Sequence, residues 1–172
     1  MYKGPEHTEV FDRAIKHIKY AVDLKKRDQL PVTLGIQMVL MPHMKEEIIP
    51  FAQLGIDLGV DYAVIKHCSD DERSTLGIDY SQYVGLYGLL EQAELMSNKQ
   101  TKVIVKWDKI KDGDKPSYKR FYGSQFLLQI SGSGLVAPSG MFFNARYSKF
   151  HIGDFTEERF KDIWKSERYW RA

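Results

Sequence analysis

The residues best suited to chemistry stand at or near the ends of short apolar segments. Lys66 and His67 end the segment 61–67, and Gln37 lies within the segment 32–40. If both segments are strands of an α/β fold, ligands are expected beyond their C-terminal ends. We therefore take Gln37, Lys66 and His67 as candidate binding residues. The alternative is a solvated strand end that binds nothing.

The single cysteine, Cys68, follows His67 directly. A thiol needs a neighbouring base or cation to become a reactive thiolate, and His67 is adjacent only in sequence. Successive side chains of a strand point to opposite faces, so the two should diverge. An unreactive thiol is therefore favoured over a nucleophile. One cysteine also makes neither an internal disulfide nor, alone, a zinc or iron–sulfur site.

Three further patterns favour structural interpretations. The acidic segment 70–72 lacks the alternating carboxylates and the glycine of a calcium-binding loop. Glycines 132 and 134 could cradle a phosphate, but the flanking segments indicate a hairpin rather than a strand followed by a helix. The aromatic-rich segment 118–150 could stack on nucleic-acid bases, but filling the core of a small module is the stronger explanation.

Composition narrows the class of protein. The chain has 172 residues, of which 43% are hydrophobic and 28% charged, and its net charge is +2. Such a balanced charge argues against nucleic acid and anionic membranes as partners. No apolar run is long enough to span a bilayer, and the first residues do not resemble a signal peptide. We expect a soluble, cytoplasmic protein.

Two periodicities alternate along the first hundred residues. Helical spacing of apolar residues predicts helices over 8–28, 45–58 and 80–98, with Pro50 delaying or kinking the second. Apolar runs predict strands over 32–40, 61–67 and 101–107, the first of them covered on both faces. The order α-β-α-β-α-β predicts parallel strands joined by right-handed crossovers.

The alternation of helical and strand patterns ends after Trp107. Residues 108–119 form a charged segment predicted to be a loop, and 125–138 predict a β-hairpin with its turn at 131–134. Thr156 is a candidate N-cap for one terminal helix. We therefore predict two domains: an α/β part over 1–107 and a small α+β module over 108–172.

Several segments carry a family resemblance. Residues 35–42 and 58–62 resemble a late strand–helix–strand of the radical S-adenosylmethionine (SAM) enzymes. Residues 134–140 resemble the hairpin of a SPASM or twitch auxiliary domain, and 152–166 resemble its end. The resemblance implies that residues 1–107 are the C-terminal part of a partial (β/α) barrel and that 108–172 form a SPASM/twitch-like module with a hairpin and a terminal helix.

The resemblance also implies a chemistry. Enzymes of this family cleave SAM at a [4Fe–4S] cluster to a 5′-deoxyadenosyl radical, which modifies a substrate such as a peptide. In such an enzyme Gln37, Lys66 and His67 would contact SAM. The family's CxxxCxxC motif is absent here and would lie N-terminal to Met1.

The auxiliary-domain ligands are also replaced. Ser124, nine residues, Gly134, four residues and Ser139 reproduce the family's cysteine spacing with serine at both ligand positions. A serine hydroxyl is a poor iron ligand compared with a thiolate. The chain is therefore predicted to be a fragment or a degenerate relative of such an enzyme, inactive alone and without a cofactor of its own.

Two other functions remain open from the residues. The chain could be a non-catalytic scaffold that binds a peptide or partner protein, including a missing N-terminal barrel half, at an open sheet edge. It could also be a small α/β enzyme that uses Lys66, His67 or Cys68. The second is weaker because no set of nucleophile, base and orienting group is visible.

Overall fold

The computed structural model describes residues 7–71, 73–113, 123, 126–164 and 166–171. The chain divides into two compact units, Met1–Pro116 and Ser117–Ala172. In the part of the chain that the structure describes, no helix combines the length and apolar character needed to cross a bilayer.

The first unit is an α/β fold in which helices and strands alternate. Its elements are α1 His7–Arg27, β1 Gly35–Leu40, α2 Ile48–Leu58, β2 Tyr62–His67, α3 Tyr87–Leu95, β3 Lys102–Val105 and α4 Trp107–Asp112. Two 3₁₀ segments, Pro42–Glu47 and Tyr80–Leu86, lead into α2 and α3. The predicted second helix thus begins at Ile48, because Pro50 is tolerated only in the first turn of a helix.

The three strands form one parallel sheet in the order β1-β2-β3. Gln37 lies opposite Val64, which in turn lies opposite Ile104. The prediction of parallel strands joined through helices is therefore confirmed. Sequential order means that each crossover passes to the adjacent strand, as right-handed βαβ units do.

The helices cover one face of this sheet. Ile36 packs with a cluster that joins α1 to α2, and Met38 and Leu40 join a second cluster with residues of α2 and α3. The opposite face begins with Gln37 and Val39, and the Val39 side chain is 43% exposed. The prediction that β1 is covered on both faces is therefore wrong, because its apolar run continues onto a face that no described helix covers.

A helix replaces the start of the predicted charged loop. Ile110 of α4 is 2% exposed and joins the main core cluster, so this short helix packs against the core that also contains residues of β2 and β3. Trp107 donates its indole N–H to Glu94 Oε2 at 2.8 Å, and Val105 N donates to Glu94 Oε1. The sequence did not predict this helix, because its residues are mostly charged and Ile110 alone among them is buried, which is too little to give an apolar periodicity.

The second unit is a small antiparallel sheet with short helices. Its strands are β4 Gln129–Ile130, β5 Leu135–Ala137 and β6 Gly153–Asp154, in the order β4-β5-β6. The predicted hairpin is confirmed by β4 and β5, whereas β6 was not predicted. Val136, Ile152, Ile163 and Tyr169 form its buried cluster.

The single terminal helix is a wrong prediction. The structure has two short helices instead, α5 Phe160–Ile163 and α6 Glu167–Arg171. Thr156 does not cap either one, because its N–H and hydroxyl both donate to Asp154 Oδ1, at 2.8 and 2.6 Å. This side-chain turn competes with helix formation at the predicted start.

Candidate binding site on the parallel sheet

Gln37 and Lys66 lie on the same, uncovered face of the parallel sheet. Val39 is the register partner of Lys66, so Gln37 and Lys66 occupy neighbouring rows of this face. Gln37 is exposed and Lys66 is half-buried. None of the described residues on this face belongs to the hydrophobic clusters formed with the helices.

Tyr62 adds an aromatic ring to the same face. A Cβ placed on Gly35 would lie 2.1 Å from the Tyr62 Cε2 atom, so the ring lies directly over this glycine. The close approach expected at a glycine within a strand is thus made by the neighbouring strand's tyrosine. Sequence reasoning missed Tyr62 as a site residue; the glycine opposite it was the available signal.

Two further lysines follow the same alternation along β3. Lys102 and Lys106 are exposed, and the Lys106 N–H donates to the Ile65 carbonyl at 2.9 Å, which extends the ladder past the strand end. Alternation places both on the face that carries Lys66. Amide, phenol and ammonium groups on one face can bind a small anionic molecule, with the tyrosine ring offering a stacking surface.

His67 lies on the other face and is 4% exposed. Its Nδ1 is 2.8 Å from the Cys68 carbonyl oxygen, and its ring makes edge contacts with Tyr80 and Tyr83 at centroid distances of 5.5 and 6.0 Å. Its Nε2 has no hydrogen-bond partner among the described residues. The structure thus separates His67 from Gln37 and Lys66 and places it in the core.

Tyr83 ties the ends of β1 and β2 together. Its hydroxyl donates to the Leu40 carbonyl at 2.5 Å and accepts from the Cys68 N–H at 3.3 Å. Burial raises the pKa of this fully buried phenol. A neutral hydroxyl is what this double role needs, since it must donate one hydrogen bond while accepting another.

Cys68 is buried at the same strand end. Burial, with the nearby Asp70 carboxylate, raises the pKa of its thiol. A thiol with a raised pKa is protonated at neutral pH and nucleophilically weak. The environment of Cys68 therefore agrees with the expectation of an unreactive thiol.

The described residues do not fit an iron–sulfur cluster. Among them, no group of three or more His, Cys, Asp or Glu side chains is placed to hold a metal ion. Cys68 is the one cysteine of the chain, and a [4Fe–4S] cluster needs several thiolates. Ser124 lies outside the described residues. Ser139 is half-buried, and its carbonyl accepts from the Phe142 N–H at 3.0 Å in the turn that follows.

The acidic loop after β2 is organised by its own backbone. Asp70 accepts hydrogen bonds from the N–H groups of Leu76 and Ile78, and Asp71 accepts from those of Arg73 and Thr75. These carboxylates therefore act as turn formers, in line with the structural interpretation of this segment.

Comparison with known proteins adds no family. Neither a scan against protein-family models nor a search of curated proteins finds a match for this chain.

Proposed function

We propose that the first unit is the later part of a (β/α) barrel wall and that the chain is a fragment or degenerate relative of a radical SAM enzyme. One observation supports the barrel: the strands follow in sequential order with helices on a single face. Doubly wound sheets instead carry helices on both faces and reverse their strand order. In a barrel, the uncovered face is the interior.

The proposed role of this chain is ligand binding without catalysis. The parent chemistry needs a [4Fe–4S] cluster to cleave SAM, and the described residues do not fit that cluster. Gln37, Tyr62 and Lys66 remain on the inward face of the proposed wall. They suit a small molecule with a carboxylate and a planar ring, as SAM has, and a peptide is the substrate class that the resemblance implies.

Calorimetric titration with SAM tests this proposal. Lys66→Gln should weaken binding about tenfold, because a charge-assisted hydrogen bond is lost. The control, Lys99→Gln, changes an exposed lysine in the turn before β3 and should bind like the parent chain. Equal affinity of the two variants would contradict the site. Formation of a [4Fe–4S] cluster or of 5′-deoxyadenosine after anaerobic reconstitution would contradict the non-catalytic role.

The second candidate function is a scaffold that binds a peptide or partner protein at an open sheet edge. A specific observation favours it: within the described residues β1 pairs with β2 alone, and its residues Ile36, Gln37 and Met38 line a groove with apolar residues of α1 and α2. Exposed strand edges recruit additional strands through their backbone groups.

A further inference from the structure

A cavity of about 340 Å³ lies between α3 and α4. Tyr87, Glu91 and Glu94 line it from α3, where steps of four and three residues put them on one side of the helix. Trp107 and Lys111 line it from α4 and are again four residues apart. This volume lies at the small end of the range for ligand-binding cavities, so it suits a small ligand or a single side chain of a partner.

Two aromatic rings form adjoining walls of this cavity. The rings of Tyr87 and Trp107 have centroids 5.5 Å apart and stand at 86° to each other, which is an edge-to-face arrangement. Glu94 fixes the Trp107 ring by accepting its indole N–H at 2.8 Å. Both rings are half-buried and keep part of their surface toward the cavity. The face of an aromatic ring carries the negative end of its quadrupole and attracts cations.

The two carboxylates of the cavity carry a charge that no described cation neutralises. Within the described part of the chain, neither Glu91 nor Glu94 forms an ion pair. Glu94 is half-buried and is held by its bonds to the Trp107 indole and the Val105 N–H, whereas Glu91 is exposed. Two carboxylates against the one ammonium of Lys111 leave the lining with a net negative charge. Charge therefore favours a cationic occupant.

Lys111 demonstrates that the Trp107 ring accepts a cation. Its Nζ atom lies 5.1 Å from the centroid of this ring, within the range of a cation–π contact. The Lys111 side chain is exposed, and cation–π contacts at exposed sites are weak. A cationic ligand can therefore displace the ammonium and take its place against the ring.

Hydration determines which cation fits such a cavity. A bare ammonium group or a small metal ion binds its water strongly, and contact with an aromatic ring replaces that water poorly. A methylated ammonium spreads its charge over apolar methyl groups, which pack against the rings while the charge is attracted to them. The combination of two rings with unpaired carboxylates therefore favours a methylated ammonium group.

We infer that the cavity between α3 and α4 binds a methylated ammonium group, carried either by a small molecule of the choline type or by a methylated lysine. The group lies against Trp107 and Tyr87, with Glu91 and Glu94 as its counter-charges. Lys111 competes with it for the ring and lowers the affinity of the site. The inference goes beyond the ligand site on the sheet face, with which the cavity lining shares no residue.

Titration of the full chain with choline, followed in nitrogen-edited NMR spectra, tests the site. The assigned indole N–H signal of Trp107 should shift saturably, because this N–H lies beside the proposed position of the ligand. The control is the neutral isostere of choline, in which a tert-butyl group replaces the trimethylammonium group. It should leave the signal in place at the same concentrations. Equal shifts with the two compounds would overturn the inference, because binding would then not depend on charge.

Two exposed residues test the charges of the lining without altering the core. Lys111→Gln removes the competing cation and should tighten choline binding about two- to fivefold. Lys109→Gln changes an exposed lysine of the same helix outside the lining and should bind like the parent. Lys111→Gln that binds no more tightly than Lys109→Gln would overturn the inference.

The matching pair of acidic variants has the opposite sign. Glu91→Gln removes a counter-charge and should weaken choline binding about two- to fivefold. Glu9→Gln, on exposed α1, should leave it unchanged. Identical affinities of these two variants would contradict the site.

A capped peptide, Gly-Ala-Lys-Ala-Gly with a trimethylated lysine, distinguishes the two sources of the group. Affinity about tenfold or more above that of choline assigns the cavity to a modified side chain, and equal or lower affinity assigns it to a free small molecule. The unmethylated peptide should bind more weakly than the trimethylated one; equal binding of the two peptides would overturn the inference.

Lys66→Gln separates this cavity from the ligand site on the sheet. The variant should lose SAM affinity and keep choline affinity, because Lys66 lies outside the cavity lining. Lys111→Gln should conversely keep SAM affinity. Loss of choline binding in Lys66→Gln would assign the cation to the sheet face and overturn the inference, whereas loss of SAM binding alone leaves it standing.

Discussion

The two units reach a folded state by different means. The first buries aliphatic side chains between three parallel strands and their helices, in one cluster that includes Leu40, Ile65 and Leu90. The second has strands of two or three residues and a row of ring contacts that runs from Phe155 through Phe160 to Trp164. The periodic spacing of apolar residues in the sequence predicts the first kind of core well and the second kind poorly.

Hydrogen bonds in turns hold the short strands of the second unit in place, whereas longer strand ladders do so in the first. The Ser131 hydroxyl accepts from the Leu135 N–H at 3.1 Å, which closes the hairpin. His151 Nε2 lies 2.7 Å from the Phe142 carbonyl oxygen, across the turns that lead to β6. Local polar contacts of this kind depend on single atoms, so we expect the second unit to be sensitive to small changes.

The largest effect should come from the aliphatic core. Leu90→Ala empties a fully buried position on α3 and should lower the free energy of unfolding of the first unit by about 2–5 kcal/mol. Leu95→Ala on the same helix changes a side chain that is 85% exposed and should stay within about 0.5 kcal/mol. Urea titration followed by Trp107 fluorescence measures both. Similar midpoints for the two variants would contradict the described core.

In the second unit a single added methyl should be costly. Gly153→Ala would place its Cβ 2.7 Å from Ile163 Cγ1 and should destabilise this unit by about 1–3 kcal/mol. Ile163→Val removes the Cδ1 atom, which lies 2.8 Å from the same Cβ, and should restore part of the loss in the double variant. Trp164 and Trp170 fluorescence during urea unfolding reports this unit. Strict additivity would show that the two residues are not in contact.

Loss of one hydroxyl should test the strand ends of the first unit. Tyr83→Phe removes one partner from the Cys68 N–H and from the Leu40 carbonyl, which still bond to each other, and should cost about 0.5–1.5 kcal/mol. The exposed Tyr20 supplies the matched control, Tyr20→Phe, with a change close to zero. If the two phenylalanine variants unfold at the same urea concentration, Tyr83 does not join the strands.

The smallest effect should appear in acid. The Lys25 ammonium, bonded to both carboxylate oxygens of Asp61, and the Leu34 N–H hold the pKa of this carboxyl below its usual value. The resulting stability is fully present above the unfolded-state pKa of about 3.9 and is lost as pH falls through the lower folded-state pKa.

Asp61→Asn should therefore flatten the stability curve of the first unit below about pH 4, while Asp23→Asn, on the exposed side of α1, should follow the parent. Urea midpoints measured at a series of pH values supply the comparison. If the stability of Asp61→Asn falls with pH below about 4 as steeply as that of the parent, the ion pair between Lys25 and Asp61 does not stabilise the fold.

Sequence reasoning predicted the first unit better than the second for a physical reason. Helical spacing over 8–28 and the apolar run ending at Leu40 reflect burial, and the structure places α1 and β1 there. Around the two short terminal helices the described contacts are local instead: the bond from Thr156 to Asp154 forms a turn where the helix was predicted to start, and Arg168 of α6 pairs with Glu158. Such contacts join particular atoms, and no periodic pattern in the sequence predicts them.

The candidate site was likewise predicted only where a periodic pattern determines it. Lys66 and His67 were both predicted to bind a ligand, although alternation along β2 places them on opposite faces, because the sequence does not show which face the helices cover. The helices α2 and α3 pack around Ile65, and the 3₁₀ segment Tyr80–Leu86 contacts His67 through Tyr80 and Tyr83. Tyr62 entered the site through its position over Gly35, a contact between strands that no local pattern encodes.

The glycine under the tyrosine ring also has a consequence for how this sequence can diverge. A larger residue at position 35 would place its Cβ only 2.1 Å from the ring, so we expect it to be accommodated only if the ring moves or a smaller residue stands at position 62. The effect of a substitution at one position should therefore depend on the residue at the other, although 26 residues stand between them.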